Sequence, residues 1–274
     1  MRRGLIAALL TLALLAGLAF GGWSAYRYVQ KRLTPQQCTV FLDGGTTMLT
    51  AEQARNASII VAVSVERGLS ERAAVIALAT AYQESDLRNL DYGDRDSLGL
   101  FQQRPSYGWG TEEQILDPWY SSARFYEELV KFDGWETGDI NDVAQQVQRS
   151  GFPEAYRQHV EKATGVAGAL RGSRQEGIAC LSFEDSPTPD ATAFERVLTA
   201  LGSGVSVAAE GGTLTVTAAD ETALWSAAQL AIANSYAGGL TSVVVADREW
   251  TAGEGAWRDA AEPADAGTAV LTLG

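Results

Sequence analysis

Glu84 ends the run Ala79-Thr80-Ala81-Tyr82-Gln83-Glu84-Ser85 and is the residue of this chain best placed for acid–base chemistry. Helical spacing back from Glu84 reaches Thr80, Ala77 and Ala73, with Ile76 and Ala81 alongside. That is one small, mostly apolar helix face, and apolar faces point into a core. A carboxylate there keeps its proton to higher pH, because burial disfavours the charged form. A general acid needs that property. The alternative is a helix-end glutamate paired with Arg88, four residues on, since structural ion pairs also occupy such positions.

After this helix the periodicity disappears. Residues 89–110 are rich in Gly, Asp, Ser and Pro, the pattern of an irregular lobe or small sheet. Glycosidic bond cleavage needs a protonated carboxyl on a rigid helix, facing a groove lined by loop backbone and aromatics. The loop holds suitable residues: Ser97, Gly99 for close backbone approach, Gln102 for amide hydrogen bonds, and Tyr107 and Trp109 as flat faces for sugar rings. Ordinary packing accounts for each aromatic taken alone. Asp86, Asp94 and Asp96 are candidates for a second carboxylate that positions water. Asp94, Asp96 and Gly99 also match the first, third and sixth places of a calcium loop, but Pro105 stands where its closing glutamate is required. No metal and no cofactor is expected. The single histidine, His159, has no Ser or Cys partner in view and reads as structural.

Glu84-Ser85 followed by Gly99-Leu100-Phe101-Gln102 resembles the Glu-Ser and Gly-Leu-Met-Gln motifs of soluble lytic transglycosylases and goose-type lysozymes. Gln83-Glu84-Ser85, the stretch Gly93 to Ser106 and Gly108-Trp109-Gly110-Thr111 resemble more closely the lysozyme-like, membrane-anchored cell-wall proteins of actinobacteria. The resemblance covers about residues 38–180. It implies peptidoglycan as substrate, Glu84 as catalytic acid, Ser85 as the serine that supports the fold or the acid, and Gln102 as a cleft residue. The family's Ala-Tyr-Asn-Ala-Gly-like helix start is absent; Ala144-Gln145-Gln146-Val147-Gln148-Arg149-Ser150 stands in a comparable place, with Gln, as at Gln145, where the family's polar ring sits. If no second carboxylate reaches the cleft, the resemblance implies a lytic transglycosylase leaving a 1,6-anhydro product. The alternatives are a muramidase hydrolase and a non-catalytic glycan-binding or wall-assembly protein.

Helices must position these residues. Thr50 to Gln53 is a capping box for a helix to about Glu66, stopped by Gly68. Ser70 and Glu71 open the helix carrying Glu84. Asp117-Pro118 starts another, with Trp119, Ala123, Tyr126 and Val130 as its apolar stripe. Asp139 and Pro153 each open one more, the last running through Tyr156 and Val160 to near Gly172. Residues 183–190 read as a linker. Beyond it, 191–274 reads as α-β-β-α-β-β, a small accessory module with no catalytic constellation. Trp250 and Trp257 suit its core or a ligand surface, and the module reads as wall-binding or as binding a protein partner. The fold class is α+β: a mainly helical domain over 37–182 and the small domain over 191–274.

The net charge of −13 is uneven. Residues 1–36 hold five bases and no acid, 37–182 hold 21 acids against 13 bases, and 183–274 hold 13 acids against 3 bases. So acidic a body excludes nucleic acid as a partner, whose phosphates need Lys and Arg clusters. Residues 4–26 carry no charge, a length that suits one membrane-crossing helix over 1–36 with the body extracytoplasmic. A small-residue site at Gly17-Leu18-Ala19 would suit cleavage instead, giving a secreted body. Cys38 and Cys180 bracket the first domain and belong to no CxxC. In an exported chain they read as one disulfide, the other reading being two unrelated thiols.

Overall fold

The computed structural model describes residues 2–33, 36–182 and 188–274; most of the expected linker, residues 183–187, lies outside them. The chain begins with helix α1 (Arg2–Leu33). Two strands, β1 (Gln37–Leu42) and β2 (Gly45–Thr50), lead into α2 (Ala51–Glu66) and α3 (Glu71–Ser85). An irregular lobe follows, with a 3-10 turn at Pro105–Tyr107 and a single helical turn, α4 (Glu112–Ile115). Then come α5 (Pro118–Leu129), α6 (Ile140–Gln148), α7 (Val160–Leu170) and β3 (Ile178–Leu181). The remainder is α8 (Thr192–Thr199), β4 (Val205–Glu210), β5 (Thr213–Ala218), α9 (Glu221–Ala233), α10 (Ser235–Gly238), β6 (Leu240–Val245), β7 (Arg248–Thr251), β8 (Ala256–Asp259) and β9 (Thr268–Leu273). The architecture is mixed helix and strand with two antiparallel sheets, ordered β2-β1-β3 and β4-β5-β9-β6-β7-β8, consistent with α+β.

The expectation of a membrane anchor is corrected. Among the described residues no helix is long and apolar enough to cross a membrane. The expected span's first residues, 4–10, have no described side chains.

Local signals act as their chemistry dictates. Thr50 and Gln53 make the reciprocal capping box of α2, and Asp117 caps α5 with Pro118 in its first turn. The α5 stripe differs from the expected one. Ser122, Phe125, Tyr126 and Leu129 are buried while Val130 is 44% exposed, because the Tyr126 hydroxyl is drawn inward to the Ile60 carbonyl, 2.9 Å away. The expected helix from Pro153 is a turn followed by a 3-10 turn at Arg157–His159, and regular helix starts only at Val160. The last module has four strands after α9, not two, because Trp250 and Trp257 face each other across an extra hairpin, β7–β8.

Residues 191–274 share one apolar core with residues 37–182. Helix α9 is buried from Leu224 to Ala233. Its Gln229 amide is fully employed: Oε1 accepts from Ile178 N at 3.1 Å, and Nε2 donates to the Ala169 and Arg174 carbonyls at 2.7 and 2.9 Å. Asn234 donates to Ser58, and the Trp250 and Trp257 indoles donate to the Cys180 and Ile178 carbonyls. At Gly172, with φ of +80°, a Cβ would stand 2.0 Å from the Thr222 carbonyl, so only glycine permits this approach.

Cys38 and Cys180 face each other on β1 and β3 and form a disulfide across 142 residues. A loop of that length confers about 4–5 kcal/mol in the chain-entropy model. Reduction is therefore expected to lower the melting temperature by roughly 10–20 °C, at about 2–4 °C per kcal/mol for a chain this size. Melts with and without reductant test this; an unchanged melt, or alkylation of both thiols in the native protein, contradicts it.

Candidate active site

Helix α3 is buried on every side from Ala73 to Tyr82, not on one stripe. Its end therefore has to be closed by partners. The Ser85 hydroxyl, buried, donates toward the Leu100 carbonyl at 2.7 Å and lies 3.1 Å from the Ala81 carbonyl. Asp86 and Leu87 follow with φ of 53° and 59°, left-handed conformations that cost non-glycine residues free energy and persist only where the surroundings enforce them. Here Gln53 donates to the Asp86 carbonyl and Asn56 to the Leu87 carbonyl, both at 2.8 Å. The reversed chain brings residues 98–103 back as a tight turn, closed by paired backbone bonds between Leu98 and Gln103. Phe101 stacks on Phe125 with ring centres 4.7 Å apart.

Glu84 is partly buried where these pieces meet. The Tyr156 phenol, fully buried, donates to Glu84 Oε1 at 2.7 Å. The Gln148 side chain also hydrogen-bonds the carboxylate, and its Nε2 donates to the Phe101 carbonyl at 2.8 Å. Ser150 hydrogen-bonds the same phenol. Burial raises the Glu84 pKa above its ordinary value, and the bonds from Tyr156 and Gln148 pull back against that rise. Burial and the neighbouring Glu84 carboxylate push the Tyr156 phenol up, so it stays a hydrogen-bond donor.

The other expected site residues divide. Gln145 sits one turn before Gln148 on α6; its Nε2 donates to the Ser150 carbonyl at 2.7 Å, and its Oε1 is buried with no partner among the described residues. Gln102, with φ of 47°, folds its amide back on its own loop, 3.3 Å from both the Tyr92 and Gly99 carbonyls. Gly99 has φ of +75°, and a Cβ there would meet the Ile115 carbonyl at 2.7 Å. Its close approach is thus to the protein's own backbone. Ser97 is buried, and its amide bonds to the Asp94 carbonyl. Tyr107 is exposed beneath the Arg104 guanidinium, while Trp109 is half-buried with Arg124 5.9 Å from its ring centre.

The three aspartates are otherwise engaged. Asp86 accepts from Gln53 at 3.0 Å. Asp94 is exposed, 3.9 Å from Arg95. Asp96 accepts from Arg104 at 2.6 Å and from Ser106 N at 2.9 Å; the Ser106 and Arg104 bonds hold it well below the usual carboxylate range. Among the described residues no carboxylate contributes to the shift at Glu84. Among the described residues no group of three His, Cys, Asp or Glu could hold a metal ion.

Sequence reasoning places Tyr156 in a helix stripe and gives Gln148 and Ser150, within the stretch 144–150, no role of their own. The glutamines spaced three apart, Gln145 and Gln148, with Ser150 just past the end of amphipathic α6, were the available signal. No family model matches this sequence, and no curated protein matches it.

The raised Glu84 pKa has a stability consequence. Between 4.5 and the raised value the folded state holds a proton that the unfolded state has lost. Stability from this group is therefore fully present below pH 4.5 and lost as pH rises through the folded pKa. Glu84→Gln is expected to be more stable than wild type at pH 7, the gain vanishing below about pH 4.5. Urea melts of both proteins from pH 4 to 8 check this; a pH-independent difference rules it out. Tyr156→Phe removes a bond that favours the carboxylate, so the Glu84 titration seen by NMR is expected to move upward.

Proposed function

We propose that the protein cleaves the β-1,4 link between N-acetylmuramic acid and N-acetylglucosamine in peptidoglycan, as a lytic transglycosylase. In this reading residues 37–182 are a lysozyme-like catalytic part and 191–274 an α+β accessory part. The observation that carries the proposal is a desolvated carboxyl, Glu84, held on one oxygen by Tyr156, while among the described residues Asp86, Asp94 and Asp96 are each engaged elsewhere. Inverting and retaining hydrolases generally require a second carboxylate.

In the forward step Glu84 gives its proton to the glycosidic oxygen, and the bond from muramoyl C1 to that oxygen breaks. Glu84, now a carboxylate, takes the proton of the muramoyl C6 hydroxyl, whose oxygen bonds to C1 and closes the 1,6-anhydro ring. One group thus serves as acid and then base. Tyr156 occupies Oε1 and leaves Oε2 for the proton, which orients the transfer. The unpartnered Gln145 Oε1 suits an acetamido N–H of the glycan.

Glu84→Gln is expected to lower release of soluble fragments from purified peptidoglycan by at least about 100-fold. Mass spectrometry of wild-type products is expected to show 1,6-anhydro ends. Reducing ends would mean a hydrolase. No release by wild type, or equal release by the variant, favours a glycan-binding protein that lacks catalysis.

A further inference from the structure

Strand β4 forms one edge of the larger sheet: it pairs with β5 and, among the described residues, with no other strand. Its residues Ser206 to Glu210 are exposed. The loop to β5 is the two-residue turn Gly211-Gly212, with Glu210 opposite Thr213. In such a hairpin the pair flanking the loop exchanges both backbone bonds, and bonded pairs then alternate along the strand. Glu210, Ala208 and Ser206 therefore bond to β5, and the N–H and C=O groups of Val205, Val207 and Ala209 point outward.

Native sheets blunt such an edge with charge or proline. The opposite edge, β8, does so: Arg258 pairs with Glu249 and Glu254, and Asp259 with Arg248. From Val205 to Ala209, β4 carries neither. A groove of about 660 Å³ runs along the same strand. Val205, Val207 and Ala209 line it from β4, Leu214 from β5 and Leu198 from α8. Val207 is 44% exposed there. Among the described residues Glu195 is the only charged side chain on the groove. An unguarded row of backbone groups and an apolar groove thus share the same three residues.

We propose that the β4 edge takes up an extended segment of a basic partner protein as an added antiparallel strand, with alternate apolar side chains in the groove. Outward donors and acceptors repeated at strand spacing match another backbone. Val205 to Ala209 extends about 14 Å, room for five residues of added strand. In an antiparallel pair, a residue bonded to Val207 holds its side chain on the same face as Val207, so the backbone and the groove select the same alternate residues. Charge decides which protein. Residues 183–274 hold 13 acids against 3 bases, Glu195 lines the groove and Glu210 ends the strand. A second copy would bring together two bodies of charge −13. A segment flanked by Lys or Arg meets complementary charge instead. The inference stands apart from the chemistry of Glu84, none of whose partners lines the groove.

The test is calorimetric titration of the full chain at fixed ionic strength with three peptides. They are acetyl-Arg-Val-Ser-Val-Ser-Val-Arg-amide, the same peptide with Glu at both ends, and the basic peptide with its valines N-methylated. The basic peptide is expected to saturate the protein and to slow hydrogen exchange at the Val205, Val207 and Ala209 amides. The Glu-ended and N-methylated peptides are each expected to bind at least about tenfold more weakly. Val207→Pro removes one outward N–H and keeps the bonds to β5, and is expected to weaken the basic peptide by about tenfold. Glu195→Lys is expected to weaken it severalfold. Far-UV circular dichroism and melts confirm that the variants fold; Val207→Lys, which puts a charge on the groove, carries the test if the proline variant does not. The proposal is overturned if the basic peptide does not saturate, if the three amides exchange unchanged, if the Glu-ended or N-methylated peptide binds as tightly, or if the Val207 variant binds like wild type. It is also overturned if sedimentation finds a wild-type dimer that the Val207 variant dissociates, which assigns the edge to a second copy.

Discussion

A helix buried on every side must end somewhere, and the molecule is arranged around how α3 ends. Ten consecutive residues, Ala73 to Tyr82, are out of solvent. The last turn cannot rely on water to satisfy its groups, so it draws on side chains from other elements. Ser85 reaches Leu100, Gln53 and Asn56 reach the carbonyls of Asp86 and Leu87, and Tyr156 reaches Glu84. These bonds hold two residues in left-handed conformations and turn the chain back on itself. Unmet polar groups here would each cost roughly 1–3 kcal/mol. The closure that stabilises the helix end is thus the same closure that builds the site.

Desolvation holds the proton on Glu84 to higher pH and costs stability at neutral pH. The two partners limit that cost without removing it. Tyr156 and Gln148 both favour the carboxylate form, against burial, which favours the acid. A carboxyl set between these pressures can both give and accept a proton near its raised pKa.

Residues 191–274 act as a brace on this frame. The disulfide-bearing strand β3 has its carbonyls met by Trp250 and Trp257, and the buried Gln229 amide ties the segment after α7 to α9. A buried amide with all its partners is directional, unlike apolar contact alone, so it specifies one register between the halves.

Helix starts were legible in the sequence because capping chemistry is local: Thr50 with Gln53, Asp117 with Pro118, Asp139. Glu84 was legible too, as the carboxyl at the end of an apolar helix. Other features depended on what packs against what. Whether α3 is buried on one face or all round depends on α2, α5, α6 and α7, which local periodicity cannot count. Tyr156, 72 residues from Glu84, carries no local sign of its partner. Asp96 shares its residue type with any catalytic aspartate, and only its placement against Arg104 and the Ser106 amide makes it a strut of the loop. The sequence by itself determined which groups can hold a proton, cap a helix or form a disulfide, since these are properties of side chains and near neighbours. Only the tertiary structure decided which carboxyl is desolvated and which is paired, since burial and long-range hydrogen bonds exist only once distant segments meet.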